Sequence, residues 1–341
     1  MARNGIIYAL VISSFWRRTR LKDAKPKGNR RDTVMEASER SMDQRSGRIL
    51  RMKKVADTHI RLTVWAALVF LLACGNPATR NEIRIAVTPD LEAVLLRERY
   101  EPIADRIAES MGIPTRLIIP TDYHDLLDKF VSGEVDLALF GGLTFALAQE
   151  VAGAVPIAMR DLDTAFTTYF IARTDSQAVS LAEYRGMRLA FGSEISTSGH
   201  LMPRYFLNQI NMPPDEHFSE IFFSGSHDRT VQMVMDGEVE LGAVNAEIFD
   251  HLVLSGDVDT TEVHILVRTP TYPDYVWAVQ EYLPPDLASD LRDVFLSLST
   301  HRSEDRQILR AIGSQGFVPV LSGTFEHIKR AAQLLKLESA K

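Results

Sequence analysis

The sequence predicts an α/β fold of two similarly built lobes, joined by two crossing strands, with a central cleft. Three observations carry that prediction. Short apolar runs alternate with stretches of helical period over residues 82–313, the pattern of parallel strands with right-handed crossovers. A helix, a Gly-Glu-Val turn and a strand occur twice, as Ser132-Gly133-Glu134-Val135-Asp136-Leu137 and Asp236-Gly237-Glu238-Val239-Glu240-Leu241. The 268 residues from Cys74 onward are enough chain for two such lobes.

A polar tether, 74–81, leads into a first strand at 82–87 (EIRIAV), which Thr88-Pro89-Asp90 ends. Apolar residues at helical spacing over 91–111, stopped by Gly112, predict a helix. A strand at 115–119, a helix at 123–132 closed by Gly133 and a buried strand at 135–140 (VDLALF) follow. Gly141-Gly142 then turns the chain into a helix at 143–152. The second set comprises a strand at 168–173, a short helix at 181–185, a strand at 188–191 and a helical stretch at 200–209. It continues with a strand at 220–224, a helix at 227–235 and a strand at 239–244. Strands at 263–267 and 275–279 lead back, and helices at 284–299 and 303–313 close the chain. This divides the body into lobe 1, residues 82–171 and 276–341, and lobe 2, residues 172–275.

The amino terminus reads differently. The only cysteine, Cys74, directly follows a twelve-residue apolar run at 62–73 (LTVWAALVFLLA), itself preceded by Lys53, Lys54 and Arg61. A basic segment, a short apolar core and a small residue before the cut describe a secretory signal over 52–73. The run is too short for a span, which needs about 20 residues. The junction resembles the lipobox of bacterial lipoproteins, which makes Cys74 the lipidated first residue of the mature chain. The competing reading is one buried thiol behind a signal-anchor helix. Residues 1–51 fit neither pattern, and Met52-Lys53-Lys54 looks like the true start of the signal, so 1–51 reads as an over-extended amino terminus; the alternative is a second membrane anchor at the extreme N-terminus, where 5–16 (GIIYALVISSFW) is apolar.

Charge also divides at the cysteine. Residues 1–73 carry 16 Lys/Arg against 6 Asp/Glu, and the remainder carries 22 against 39. An acidic exported body is a poor partner for nucleic acid, whose binding rests on neutralising phosphates. An anion must then be held by local amides and hydroxyls rather than by a general positive field.

Residues 193–199 read SEISTSG, between the strand at 188–191 and the helical stretch at 200–209. Ser196, Thr197 and Ser198 thus stand where a helix begins, beside amides without intrahelical partners and the positive end of the dipole. That is a site for a small oxyanion; taken alone, it is also an ordinary Ser/Thr N-cap. Nine histidines are scattered without metal-ligand spacing, and G-x-S-x-G, P-loop and G-x-G-x-x-G patterns are missing, so the sequence calls for no metal, no cofactor and no catalytic centre.

Several stretches, in order over most of 82–320, resemble the periplasmic phosphonate/phosphite/phosphate-binding proteins of ABC importers. They are Asp122-Tyr123 before a helix, VDLALFGG at 135–142, STSG at 196–199 with Pro203, GSH at 225–227, NAEIFDHL at 245–252 and PTYPDYVW at 270–277. The resemblance implies a type II periplasmic-binding-protein fold and a lipid-tethered monomer working with permease and ATPase subunits. It implies that Ser196, Thr197 and Ser198 bind phosphonyl oxygens, that Tyr123 donates its phenol and His227 an imidazole N–H, and that Asp274 accepts a proton or orients a neighbour. Phe140 stands where some members have a ligand-contacting tyrosine. Glu247 matches a residue that reads the amine of aminoalkyl-phosphonates, which favours an amine-bearing ligand over phosphate. Rival functions are a sulfonate or other oxyanion carrier on the same fold, a sensory module for a membrane receptor, and a hydrolase using Ser196 or Ser198 with His227.

Overall fold

The computed structural model describes residues 82–337. The signal segment and Cys74 lie outside the described residues. Two sheets form the body. The first takes β1 (Ile83–Val87), β2 (Thr115–Ile118), β3 (Leu137–Phe140), β4 (Val155–Arg160), β10 (Val276–Val279) and β11 (Phe317–Val318), in the order β2-β1-β3-β10-β4-β11. The second takes β5 (Thr168–Arg173), β6 (Arg188–Phe191), β7 (Glu220–Phe223), β8 (Leu241–Asn245) and β9 (Val263–Arg268), in the order β7-β6-β8-β5-β9.

The two orders are one pattern used twice. Three strands run parallel (β2-β1-β3 and β7-β6-β8), then an antiparallel strand arrives from a crossing (β10 and β5), then a further antiparallel strand adds at its side. The Gly-Glu-Val echo has its cause here. Asp136 accepts from Arg84 Nε at 2.9 Å and Nη2 at 2.7 Å and from the Arg84 backbone N–H at 3.0 Å. Glu240 does the same for Arg188, at 3.1, 2.5 and 2.8 Å. In each lobe an acid before the third strand fixes the start of the first, and so the register between them.

The chain crosses between sheets twice, at 161–167 and 269–275. The crossings pair with each other through an antiparallel bridge, Phe166 to Tyr272, with N–H···O distances of 2.8 and 2.9 Å. The lobe boundary read at 171/172 therefore needs moving: β5 pairs along its whole length with β8 and β9, so the crossing is complete before Thr168. Strand β4, not read from the sequence, sits beside β10.

Burial sorts the elements as their composition dictates. All four residues of β3 are buried, as expected of a strand covered on both faces. Helix α1 (Ala93–Met111) buries Leu96, Tyr100, Ile103, Ala104 and Ile107 at helical spacing and stops at Gly112, whose φ of 64° only glycine adopts without strain. Helix α2 (Tyr123–Val131) is capped by Asp122, whose carboxylate accepts from Asp125 N–H. Helix α3 (Gly142–Ala152) starts at the carboxyl end of β3. Within the second sheet, Phe170, Leu189, Phe191, Leu241 and Ala243 pack on Leu181, Tyr184, Leu207 and Phe218. No described helix is long and apolar enough to cross a membrane.

Candidate functional site

The STSG segment begins a helix, but not an α-helix. Thr197–Leu201 is a single π turn, closed by Leu201 N–H on Ser196 O at 3.0 Å, and α4 (Met202–Gln209) continues from it. Such turns widen a helix locally and recur at functional sites. Ser196 is the cap: its Oγ accepts from Gly199 N–H at 3.0 Å. Gly199 has no room for a side chain, since a Cβ there would lie 2.9 Å from His227 Cε1 and 3.1 Å from Gly192 Cα. The hydroxyl turn, strand end and His227 are thus pressed together.

His227 opens α6 (His227–Met235), which follows the short α5 (Pro214–His217), and is fully buried. Its Nδ1 accepts from Asn245 N–H at 3.2 Å, so the ring proton belongs on Nε2. That Nε2 is buried with no protein partner. Burial holds the ring's pKa down to about 3, so the imidazole is neutral at physiological pH.

Asp274 lies on the second crossing, 1% exposed. Its Oδ1 accepts from Gly142 N–H, the first amide of α3, at 3.2 Å; its Oδ2 has no partner. Burial raises its pKa to about 7, against the lowering effects of the Gly142 amide and of the Thr197 and Ser198 hydroxyls. Ser198 Oγ is buried, and Asp274 is the one side chain beside it able to take its proton. The Ser198 carbonyl is held by Thr168 Oγ1 at 2.8 Å, and that hydroxyl is in turn 2.5 Å from Tyr272 OH.

The lobes meet at this point. Leu143 N–H donates to Thr197 Oγ1 at 2.9 Å, and Thr144 Oγ1 to Ile195 O at 3.0 Å. The starts of two helices, one from each lobe, thereby converge. Tyr123, from lobe 1, is 2% exposed. Burial pushes its phenol well up, the Asp90 charge adds to this, and a hydrogen bond with Ser196 opposes it. The phenol stays protonated and can donate.

A family model described as "ABC transporter, phosphonate, periplasmic substrate-binding protein" matches residues 85–323. The chain belongs to this family. The substrate-binding protein is 28% identical over 294 residues to a probable ABC transporter phosphite binding protein, PhnD1, of Prochlorococcus marinus, covering 82% of this chain and 96% of that one. The crystal structure of that relative in complex with methylphosphonate superposes with a TM-score of 0.72, covering 75% of this chain and 98% of the other. A phosphate-import protein of Mycolicibacterium smegmatis is 22% identical over 83% of this chain and 98% of its own.

The substrate-binding protein does not bring every sequence-predicted residue to the cleft. Tyr123, Ser196, Thr197, Ser198, His227 and Asp274 gather there. Phe140 does not: its ring packs edge-on to Phe130 at 5.0 Å in the core of lobe 1, because it alternates inward at the end of β3. Glu247 is not free, since Arg160 Nη1 lies 2.9 Å from its Oε2 and Arg99 pairs with its Oε1. Residues missed from the sequence include Tyr275, which donates to Asp90 Oδ2 at 2.5 Å and accepts from Asn245 Nδ2 at 3.0 Å. Its place within PTYPDYVW was the available signal. Thr168, which holds the Ser198 carbonyl, lay in a stretch read only as strand, and Tyr272, which bonds Thr168, lies in the same PTYPDYVW stretch.

Proposed function

We propose that this protein is the solute-binding component of an ABC importer and encloses a small phosphorus oxyanion between its lobes, at Ser196, Thr197, Ser198, Tyr123, His227 and Asp274. The observation that carries the reading is a buried set with hydrogen-bonding capacity to spare: His227 Nε2 has no protein partner, and the Ser198 hydroxyl and the Asp274 carboxyl have little beyond each other. Buried polar groups are rarely left unpaired, and together these ask for a ligand that accepts from two and shares a proton with the third. A hydrogenphosphonate or hydrogenphosphate does both. Its bare oxygens accept from Ser198, His227, Tyr123 and the helix amides, while its P–OH faces Asp274. A carboxyl with a pKa of about 7 can hold that proton or receive it.

Sulfate and sulfonates carry no proton near neutral pH, so they are accepted only where Asp274 is itself protonated, whereas a hydrogenphosphonate brings the shared proton with it. This weighs against the sulfonate alternative. Glu247, already paired with two guanidinium groups, offers nothing to a cationic amine. The expectation of an amine-bearing phosphonate therefore gives way to a compact ligand, such as phosphite, methylphosphonate or phosphate. The phosphite and methylphosphonate named for the Prochlorococcus relative agree with that size.

The finer setting rests on the sequence. The protein is read as exported through the signal at 52–73, lipidated on Cys74 and working as a monomer with a permease and an ATPase, rather than as a sensory module. Labelling with radioactive palmitate should mark the wild type and not Cys74→Ala; an unlabelled wild type removes the anchor. Calorimetric titration with phosphite, methylphosphonate, phosphate, sulfate and methanesulfonate tests the ligand class. The reading fails if the sulfur oxyanions bind as well as the phosphorus ones.

A further inference from the structure

Glu247 opens α7 (Ala246–Ser255), a helix of lobe 2, yet its carboxylate is held by lobe 1. Arg160 ends β4 and Arg99 stands on α1; both reach it, and all three side chains are at most 17% exposed. Gly313, also of lobe 1, leaves the space: a Cβ there would lie 3.0 Å from Glu247 Oε1.

The two halves of this contact differ in how they survive separation. Arg160 is fixed from its own side, by Asp163 Oδ2 and Oδ1 at 2.8 Å each and by Ile312 O at 2.7 Å, with its guanidinium 5.3 Å from the Tyr275 ring centroid. Arg99 Nε donates to Ala311 O at 3.1 Å. Neither cation needs Glu247 to keep its place. Glu247, when released, sits in the first turn of a helix whose Asn245 cap is intact, and a solvated carboxylate is favoured there. Breaking an ordinary buried ion pair strands a charge; breaking this one leaves Arg160 paired with Asp163 and Arg99 on the Ala311 carbonyl. That is what a contact made and unmade in each binding cycle requires.

We infer that Arg99, Arg160 and Glu247 form an ionic clasp fastening lobe 2 to lobe 1, and that Glu247 sets affinity through closure without touching the ligand. The inference rests on reading the cleft as an oxyanion site. Apparent affinity scales with the fraction of protein in the binding-competent state. Loss of the clasp therefore weakens every ligand by one common factor, whereas loss of a ligand contact alters their ranking.

The test uses the full chain with Cys74→Ser, spin-labelled through Val94→Cys and Leu254→Cys, two exposed positions on the helices that carry Arg99 and Glu247. Methylphosphonate, phosphite and phosphate are the probes. Glu247→Gln should weaken all three alike, by about tenfold where the closed fraction falls tenfold. It should also lengthen the label-to-label distance at equal occupancy. Arg99→Gln should act in the same direction, and adding it to Glu247→Gln should change little more. An effect confined to one anion makes Glu247 a ligand contact and overturns the clasp, as does an unchanged affinity with an unchanged distance. If none of the three anions binds the wild type, the ligand reading falls by itself. The clasp is then decided on the ligand-free protein: a distance that lengthens with salt in wild type and not in Glu247→Gln supports it, and one insensitive to salt in both overturns it.

Discussion

Thr197 Oγ1 accepts a hydrogen bond from the Leu143 backbone N–H across the cleft, at 2.9 Å, so the hydroxyl turn of one lobe caps a helix of the other. Asp274 takes the neighbouring amide of the same helix, Gly142 N–H. Two of the amides freed at the start of α3 are thus satisfied from outside lobe 1. Thr197 fastens the lobes, and the Ser198 hydroxyl, beside Asp274, is the one the proposed ligand would take up.

That division separates the three hydroxyls experimentally. Ser198→Ala removes a hydroxyl whose one side-chain neighbour for hydrogen bonding is Asp274, so melting temperature should change little while affinity falls. A hydrogen bond to a charged group is worth about 1.5–3 kcal/mol, which is roughly one to two decades in Kd. Ser196→Ala removes a cap instead and should cost about 1 kcal/mol of stability. Calorimetric titration and thermal melts on both variants check this; equal loss of stability in the two would contradict it.

Gly199→Ala should be far more damaging than its size suggests. The new methyl meets His227 Cε1 and Ser196 Oγ, each at 2.9 Å, and backbone at Gly192. Overpacking of this kind costs about 1–3 kcal/mol. Thermal unfolding should show the loss, and ligand affinity should fall with it because His227 is displaced.

The pH dependence follows from two shifted groups. Asp274 has its folded pKa raised to about 7, above that of an unfolded aspartate. Its contribution to stability is therefore fully present below the unfolded value and is lost as pH rises through about 7. The melting temperature of ligand-free Asp274→Asn relative to wild type should rise between about pH 4 and 7 and level off above, since Asn does not ionise. His227, held down to about 3 in the folded protein, costs stability as pH falls from about 6.5, where an unfolded histidine titrates, but that slope is common to both proteins and cancels in the difference. A difference in melting temperature that stays flat with pH would contradict the assignment to Asp274.

The two Arg–acid pairs that repeat between lobes should not be equal. Asp136 is 1% exposed and Glu240 37%. Asp136→Ala leaves Arg84 and a buried amide without their acceptor and should cost about 3 kcal/mol, near the range for a broken buried pair. Glu240→Ala should cost about 1 kcal/mol, as for an exposed pair. Denaturant titrations of both variants measure the contrast.

Much of this was legible in the chain because it is local. The strand, turn and helix start around Ser196–Ser198 follow from residue order, and so does the repeated Gly-Glu-Val unit, whose acids turned out to hold the strand registers. What failed to show depends on partners distant in sequence. The strand Thr168–Arg173 was visible, but which sheet it joins is decided by pairing with β8 and β9. Strand β4, with Pro156 near its start and Arg160 at its end, lacks the clean alternation of a strand. Glu247 reads from sequence as a helix carboxylate open to solvent or ligand, because nothing near it announces Arg99 or Arg160.

The most direct measurement is a calorimetric titration of the purified full chain, wild type and Ser198→Ala, with methylphosphonate, phosphite and sulfate near neutral pH. The cleft described here predicts saturable binding of both phosphorus oxyanions to the wild type, at least tenfold weaker binding to Ser198→Ala, and weaker binding of sulfate than of either. Equal binding of sulfate, or phosphorus oxyanion affinities unaltered by Ser198→Ala, would contradict it.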